Sequence, residues 1–224
     1  QKLGAEVSVK DILAGAARRK LGDLVFATAT DGNHGRGVAW SATRLGFKSV
    51  IYVHKYTSDA RIDAIRRNGA EITVVDGTYD DAVRQVNEDA KKNGWQVISD
   101  TSWEGYEDVP KWVMQGYATM LAEIQEQFAG QGLSRPTHVL VQAGVGALAA
   151  SVMGFYHQLL GERRPKAIVV EPVEAACLLF SARQGDGRPH HFGGELKTIM
   201  AGLACGDPSP VAWQVLQSCA DVFA

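Results

Sequence analysis

The 224-residue chain reads as an α/β protein made of two three-layer αβα lobes, each built on a parallel sheet. Three observations predict this. Short β-rich runs alternate with amphipathic helical stretches almost throughout. A hydrophobic content of 46% over 224 residues supplies a large core, enough for two compact lobes. The first strong strand also runs into a turn crowded with polar side chains and glycine, Thr28-Ala29-Thr30-Asp31-Gly32-Asn33-His34-Gly35-Arg36-Gly37. In open α/β sheets, ligands bind at the carboxyl ends of strands.

Leu24-Val25-Phe26-Ala27 opens the series as a short buried strand, and the helix at 36 to 45 is closed by Gly46. Strands at 49 to 53, 71 to 75 and 96 to 99 follow, separated by helices at 58 to 68 and 78 to 93. Parallel neighbours need crossover helices, so the order predicts a right-handed βαβ series and a four-stranded parallel sheet. Within Arg61 to Glu71, Ile62 and Ile65 face the sheet, the basic residues take the solvent face, and Asn68-Gly69 ends the helix. We place the smaller lobe at 1–103 and the larger at 104–224. The second lobe holds an amphipathic helix at 112 to 128, ended by Gly130-Gln131-Gly132. Pro136 introduces a strand at 138 to 142, an apolar helix runs from 148 to 160, and a further buried strand lies at 167 to 171. The segment 183 to 194, rich in Gly, Arg, His and Asp, reads as a mobile surface loop. Asp221 to Ala224 reads as the inside of a helix. Internal repeats and low-complexity segments are absent from the sequence.

A formal charge of -2 gives no reason to expect nucleic acid or an anionic membrane as partner. No apolar run approaches the roughly 20 residues that cross a bilayer. The first six residues lack the basic start and apolar core of a signal peptide. Cys177, Cys205 and Cys219 are odd in number and lack metal-ligand spacing, so the expected setting is a reducing cytoplasm. Cys177 with Cys205 would be the pair if one regulatory bridge formed. His190-His191 is adjacent rather than i, i+4, and no carboxylate completes a set, so no metal site is expected.

Two constellations carry chemistry. At the first turn, Asp31, Asn33 and His34 sit at a strand's carboxyl end beside a helix start, where backbone N–H groups suit an anion. Asn33 and His34 also fit plain turn formation, and Asp31 fits a helix N-cap. The second is Gly144-Val145-Gly146-Ala147-Leu148, between a buried strand and an apolar helix, where glycines let the backbone approach a phosphate. Taken as Gly144-x-Gly146-x-x-Ala149 with Glu171 ending the next strand, it also imitates a dinucleotide fingerprint. Its place after four earlier strands, rather than at the start of a Rossmann half, argues against that second reading.

The turn from Thr30 to Gly37 resembles that of the diaminopropionate ammonia-lyases, fold-type II enzymes dependent on pyridoxal 5'-phosphate (PLP) and related to the threonine and serine dehydratases. Asp31 stands where the dehydratases have a serine, a departure that points to the diaminopropionate branch. The likeness continues through Asp100-Thr101-Ser102-Trp103-Glu104-Gly105-Tyr106, Gln142 to Ala147, Val170-Glu171-Pro172 and Ile199 to Gly206, in the family's order and over nearly the whole chain.

The resemblance implies an α,β-elimination of ammonia from both enantiomers of 2,3-diaminopropionate, yielding pyruvate, in a cytoplasmic homodimer whose partner is a small amino-acid substrate. It assigns the cofactor phosphate to Gly144, Val145, Gly146 and Ala147, and the phenolic oxygen of the cofactor to Asn33. Gly32, His34 and Gly35 would take the substrate carboxylate, with Thr101 and Tyr106 also in the substrate site. Two enantiomers present the α-proton to opposite faces, so two bases are needed, and Asp31 is assigned to the face opposite the family's Schiff-base lysine. Asp100 is assigned to the β-ammonium group. A threonine or serine dehydratase is the alternative within PLP chemistry, and a catalytically inactive nucleotide- or amino-acid-binding module is the alternative outside it. Lys2, Lys10 and Lys20 do not fit the family's lysine site, and no glycine-rich turn with Ser or Thr for the pyridine nitrogen follows, so the chain is expected to be an internal part of a longer enzyme and inactive by itself.

Overall fold

The computed structural model describes residues 8 to 30 and 32 to 224. The readings placed on Lys2, on the chain's first residues and on Asp31 lie outside the described residues. Two compact units divide the chain, Gln1–Ser99 and Asp100–Ala224.

In the first unit, α1 (Val9–Leu13) and α2 (Ala16–Leu21) precede β1 (Val25–Ala29), α3 (Asn33–Arg44), β2 (Lys48–His54), α4 (Asp59–Arg66), β3 (Glu71–Val75), α5 (Tyr79–Asn93) and β4 (Gln96–Val97). The strands make one parallel sheet in the order β3-β2-β1-β4, as the βαβ alternation predicts. From Ser49 to His54 every residue of β2 is buried, which is why this strand reads as a continuous apolar run rather than an alternating one. Ile65 is fully buried and Ile62 packs beside it against Ala39, Ile51 and Val53, the face expected from their spacing. A capping box starts α5: the Thr78 hydroxyl accepts the Asp81 N–H while the Asp81 carboxylate accepts the Thr78 N–H. β4 is shorter than the four residues read from the sequence. Ile98 N–H still donates to the Ala27 carbonyl at 2.8 Å, but the Ile98 carbonyl is taken by the His34 ring, also at 2.8 Å. A side chain thus ends the ladder.

The second unit comprises α6 (Asp108–Gly116), α7 (Ala118–Gly130), β5 (His138–Gln142), α8 (Ala147–Leu160), β6 (Lys166–Val170), α9 (Cys177–Gln184), α10 (Pro210–Cys219) and β7 (Val222–Phe223). Its sheet is parallel in the order β5-β6-β7. Val141, Ala167 and Val169 pack into one core with Met153 of α8, Leu178 of α9 and Trp213 and Leu216 of α10. Leu140, Val170 and Val222 of the same strands are exposed.

Three sequence readings are corrected here. The single helix expected at 112 to 128 starts earlier, with Pro110 in its first turn where its missing N–H is harmless, and breaks at Tyr117, whose N–H donates back to Met114 in a tighter turn. The stretch 183 to 194 begins inside α9 and is then anchored: the His190 N–H donates to the buried Ser181 hydroxyl at 2.8 Å, and the Trp213 indole donates to the Gly187 carbonyl at 3.0 Å. Residues 221 to 224 are not helical. The Asp221 carboxylate, bound by Arg164 and Lys166 and accepting the Ala167 N–H at 2.8 Å, turns the chain so that Val222 and Phe223 pair with β6.

Candidate active site

In the first unit the predicted turn is organised around Thr30. This residue follows β1, donates its N–H to the Tyr52 carbonyl at 2.9 Å and is only 3% exposed. Its hydroxyl oxygen accepts the N–H groups of Gly32 at 3.0 Å and Gly35 at 3.1 Å, tying the turn to the first turn of α3. The fit leaves no room for a side chain at Gly35: a Cβ there would stand 2.2 Å from Thr30 Cγ2 and 3.0 Å from Ile51 Cγ2. His34, half-buried in the same turn, reaches from α3 to the Ile98 carbonyl. A carbonyl only accepts, so His34 Nε2 carries its ring hydrogen. Gly32 is the N-cap and provides no side-chain cap, and Asn33 is exposed at the first helical position. Two of the helix's orphan donors are therefore held by Thr30, and among the described residues no side chain meets those of Asn33 and His34.

The second unit holds the predicted glycine loop. Gly144-Val145-Gly146 joins β5 to α8, with Gly146 as the N-cap at φ 99°, in the left-handed region that glycine tolerates. Among the described residues no side chain caps the 14-residue α8. Both glycines are hemmed in: a Cβ on Gly146 would meet Leu216 Cδ1 at 2.9 Å, and one on Gly144 would meet Cys205 Sγ at 2.9 Å. Cys177 Sγ lies 3.5 Å from the Gly144 carbonyl oxygen. The buried Glu171 carboxylate accepts the N–H groups of Leu178 and Leu179 at 2.9 and 2.7 Å, capping α9; burial nonetheless holds its pKa above the usual carboxylate range, against those bonds and one with Cys177.

Asp100 is half-buried, and its charge adds to burial in raising the pKa of the Tyr117 phenol, so the two groups are near neighbours. Thr101 is buried beside it. Tyr106 stacks on Trp103 with ring centroids 4.2 Å apart and planes 9° from parallel, which commits one face of its ring to packing. All three cysteines are buried thiols, without a bridge between Cys177 and Cys205. His190 pairs with Asp186 and His191 with Asp207, two separate contacts, and among the described residues no group of three potential ligands is placed to hold a metal. Among the described residues no helix is long and apolar enough to cross a membrane.

Residues 3–224 match the model of the pyridoxal-phosphate dependent enzyme family. The chain belongs to that family. Diaminopropionate ammonia-lyase of Salmonella typhimurium is 49% identical over 206 residues, which is 92% of this chain and 51% of that protein. The biosynthetic L-threonine dehydratase of the same organism is 35% identical over 158 residues, 70% of this chain and 28% of that protein. Among solved structures, diaminopropionate ammonia lyase from Escherichia coli in complex with D-serine superposes with a TM-score of 0.87 at 44% identity, over 97% of this chain and 52% of that one. The chain thus spans about half the length of the ammonia-lyases it matches.

Within this family member, the sequence singled out the glycine loop and the Asp-Gly-Asn-His turn but passed over three hydroxyls that shape them. Thr30 reads only as the first residue of the turn. Ser102 lay inside the Asp100 to Tyr106 motif without a role. Ser209 carried a readable signal, because Ser before Pro210 is an N-cap followed by an N1 proline.

Proposed function

We propose that the protein eliminates ammonia from D- and L-2,3-diaminopropionate, giving pyruvate and two molecules of ammonia overall, with PLP as cofactor. The observation that carries this is the Asp-Gly-Asn-His turn at the carboxyl end of a parallel strand, in a chain 49% identical to a diaminopropionate ammonia-lyase and 35% identical to a threonine dehydratase.

The glycine loop fits the phosphate of PLP. It is a cradle with no space for a Cβ, at the start of a 14-residue helix without a side-chain cap, so its N–H groups and the helix dipole favour a dianion. Gly144, Val145, Gly146 and Ala147 would hold that phosphate, and Asn33 would donate its side-chain amide to the phenolic oxygen. When bound, PLP draws electron density from the substrate Cα and makes its proton removable. The turn of Gly32, His34 and Gly35 binds the substrate carboxylate; with Gly32 and Gly35 N–H held by Thr30, the donors of Asn33 and His34 do this directly. Asp31 takes the α-proton from one face of the substrate, and Asp100 holds the β-ammonium group until it leaves. Thr101 and Tyr106 line the substrate's side of Asp100. Loss of the α-proton and the β-amine leaves an enamine, which water converts to pyruvate and the second ammonia. The buried thiols support a reducing, cytoplasmic setting, and the likeness to the ammonia-lyases supports a homodimer.

Asp31→Asn in the full-length enzyme tests the reading. Asparagine keeps the size and still caps a helix, but it cannot accept a proton. The kcat for the enantiomer deprotonated from the Asp31 face, expected to be D, falls by at least about 10²-fold, and the L enantiomer loses less. Equal losses assign Asp31 to binding. Faster turnover of serine or threonine than of diaminopropionate by the unaltered enzyme returns the protein to the dehydratases.

A further inference from the structure

The phosphate cradle is tied to the Asp100 segment by a buried pair of hydroxyls that neither the family match nor the predicted motifs assign a role. Ser209 is 0% exposed and Ser102 is 5% exposed. Their Oγ atoms are 2.8 Å apart, and the Ser102 N–H donates to Ser209 Oγ at 3.1 Å. Ser209 is the N-cap of α10, yet its hydroxyl does not cap its own helix. That work falls to Ser102, distant in sequence, whose Oγ accepts the Val211 N–H at 3.0 Å. An N-cap serine normally turns its oxygen onto the helix that follows it. Here the Ser209 oxygen is turned away from α10 and onto the Asp100-Thr101-Ser102 segment instead.

The other side of Ser209 faces the glycine loop. Its N–H donates to the Val145 carbonyl at 2.9 Å. In a trans peptide the carbonyl of one residue and the N–H of the next point in opposite directions. Anchoring the Val145 carbonyl therefore sets the direction of the Gly146 N–H, one of the donors assigned to the phosphate. Hydrogen bonds join the Ser102 backbone and hydroxyl to the Ser209 hydroxyl, and the backbone of the same Ser209 donates to the Val145 carbonyl. Every member is buried in the second unit, where a missing partner is costly.

We infer that Ser102 and Ser209 are positioning residues: their interlocked hydroxyls hold the phosphate-binding loop in register with the segment carrying Asp100 and Thr101. The inference rests on reading Gly144 to Ala147 as the phosphate loop.

The test uses the full-length enzyme reconstituted with PLP. It compares Ser209→Ala, Ser102→Ala, the double variant, and Gly146→Asp, whose side chain would have to displace Leu216, Ala212 and Leu178 and so distort the glycine loop. The readouts are the PLP dissociation constant from fluorescence titration, the phosphorus NMR signal of the bound phosphate, and the separate kcat and KM for diaminopropionate, all taken well below each variant's melting temperature. Each serine variant is expected to weaken PLP binding about five- to tenfold and to shift the phosphate signal. The double variant should lose no more than the worse single one, because the two hydroxyls act as one unit. Ser102→Ala, which leaves the residue bonded to Val145 untouched, carries the test if Ser209→Ala does not fold. An unshifted phosphate signal and unchanged PLP affinity in the serine variants, with binding lost in Gly146→Asp, overturns the positioning role and leaves the phosphate loop standing. Unchanged PLP binding in a folded Gly146→Asp protein overturns the phosphate loop itself, and the positioning role with it.

Discussion

Gly35→Ala is a one-carbon change whose consequence can be worked from the turn it would enter. The new methyl would lie 2.2 Å from Thr30 Cγ2, 3.2 Å from Thr30 Cβ and 3.0 Å from Ile51 Cγ2. Carbon atoms pack at about 3.5 to 4 Å, so the Thr30 methyl must retreat by more than about 1 Å. It has nowhere easy to go, since Thr30 is 3% exposed and Ile51 is fully buried. Overpacking of this kind costs about 1 to 3 kcal/mol. Moving Thr30 also stretches the two hydrogen bonds its hydroxyl accepts from Gly32 and Gly35, at about 1 kcal/mol each. Against this, alanine is better than glycine inside a helix by about 1 kcal/mol. The balance is a loss of about 2 to 4 kcal/mol, or a fall in melting temperature of about 4 to 16 °C for a chain of this size. The assay is a thermal melt of the full-length variant beside the unaltered protein.

Adding Thr30→Ser to Gly35→Ala isolates the cause. Serine keeps the oxygen that receives both N–H groups and removes Cγ2, the atom 2.2 Å from the new methyl. The double variant should regain at least half of the lost stability, although Thr30→Ser alone, which only removes a buried methyl, lowers it by about 1 kcal/mol. A Gly35→Ala protein that melts with the unaltered one, or a double variant no more stable than Gly35→Ala, refutes the account of this turn.

Two further outcomes follow from other contacts. Arg164 beside Asp221, with help from the Ala167 N–H and Lys166, holds the Asp221 carboxyl down at about 2 against an ordinary 3.8. Its folded pKa is lowered, so its contribution of about 2 kcal/mol is present above pH 4 or so and is lost as pH falls towards 2; Asp221→Asn should lower the melting temperature at neutral pH, with a difference that shrinks over that acid range. His34→Ala removes the partner of the Ile98 carbonyl and should cost about 1 to 2 kcal/mol, read as faster amide hydrogen exchange at Ile98 and Val97, with no change at β3, which two strands separate from β4.

The sheets were legible because their signals are local. Apolar runs such as Ser49 to Val53, and paired isoleucines at 62 and 65, report burial through spacing alone, and the strand order follows from the need for crossover helices. What escaped the sequence depends on partners far along the chain. The break at Tyr117 lies in a stretch whose apolar spacing continues on both sides, so the pattern gave no warning. Val222 and Phe223 form a strand because Asp221 is captured by Arg164 and Lys166 and the two residues lie beside β6. The turn's polar residues are plain in the sequence, but the sequence has no means of telling which backbone donors those groups would occupy. Thr30 takes two of them through contacts of two and five residues, and His34 turns its ring to a strand 64 residues away.

That division of donors bears on where anions are expected. A helix leaves its first N–H groups without intrahelical partners, and something must meet them. In α5 the capping box of Thr78 and Asp81 does so, in α9 the Glu171 carboxylate does so, and in α10 the distant Ser102 hydroxyl meets one of them. In α3 the Thr30 hydroxyl meets two, and among the described residues no side chain meets the next two, the number a single carboxylate can accept with its two oxygens. At α8, among the described residues, no side chain caps the helix, and its N-cap Gly146 has none to offer. A phosphate has more acceptor oxygens than a carboxylate and carries more charge, so it gains more from a start with its donors left open. The pattern of capping therefore supports the same assignment reached from the motifs, with the larger anion at Gly144 to Ala147 and the smaller at the turn before α3. It also predicts which alteration discriminates between them. A serine at Ala147 or Leu148, able to turn its hydroxyl back onto the α8 start, should compete with the phosphate and weaken PLP binding by severalfold while leaving the KM for diaminopropionate nearly unchanged at saturating cofactor. A rise in KM with unchanged PLP affinity would exchange the two assignments.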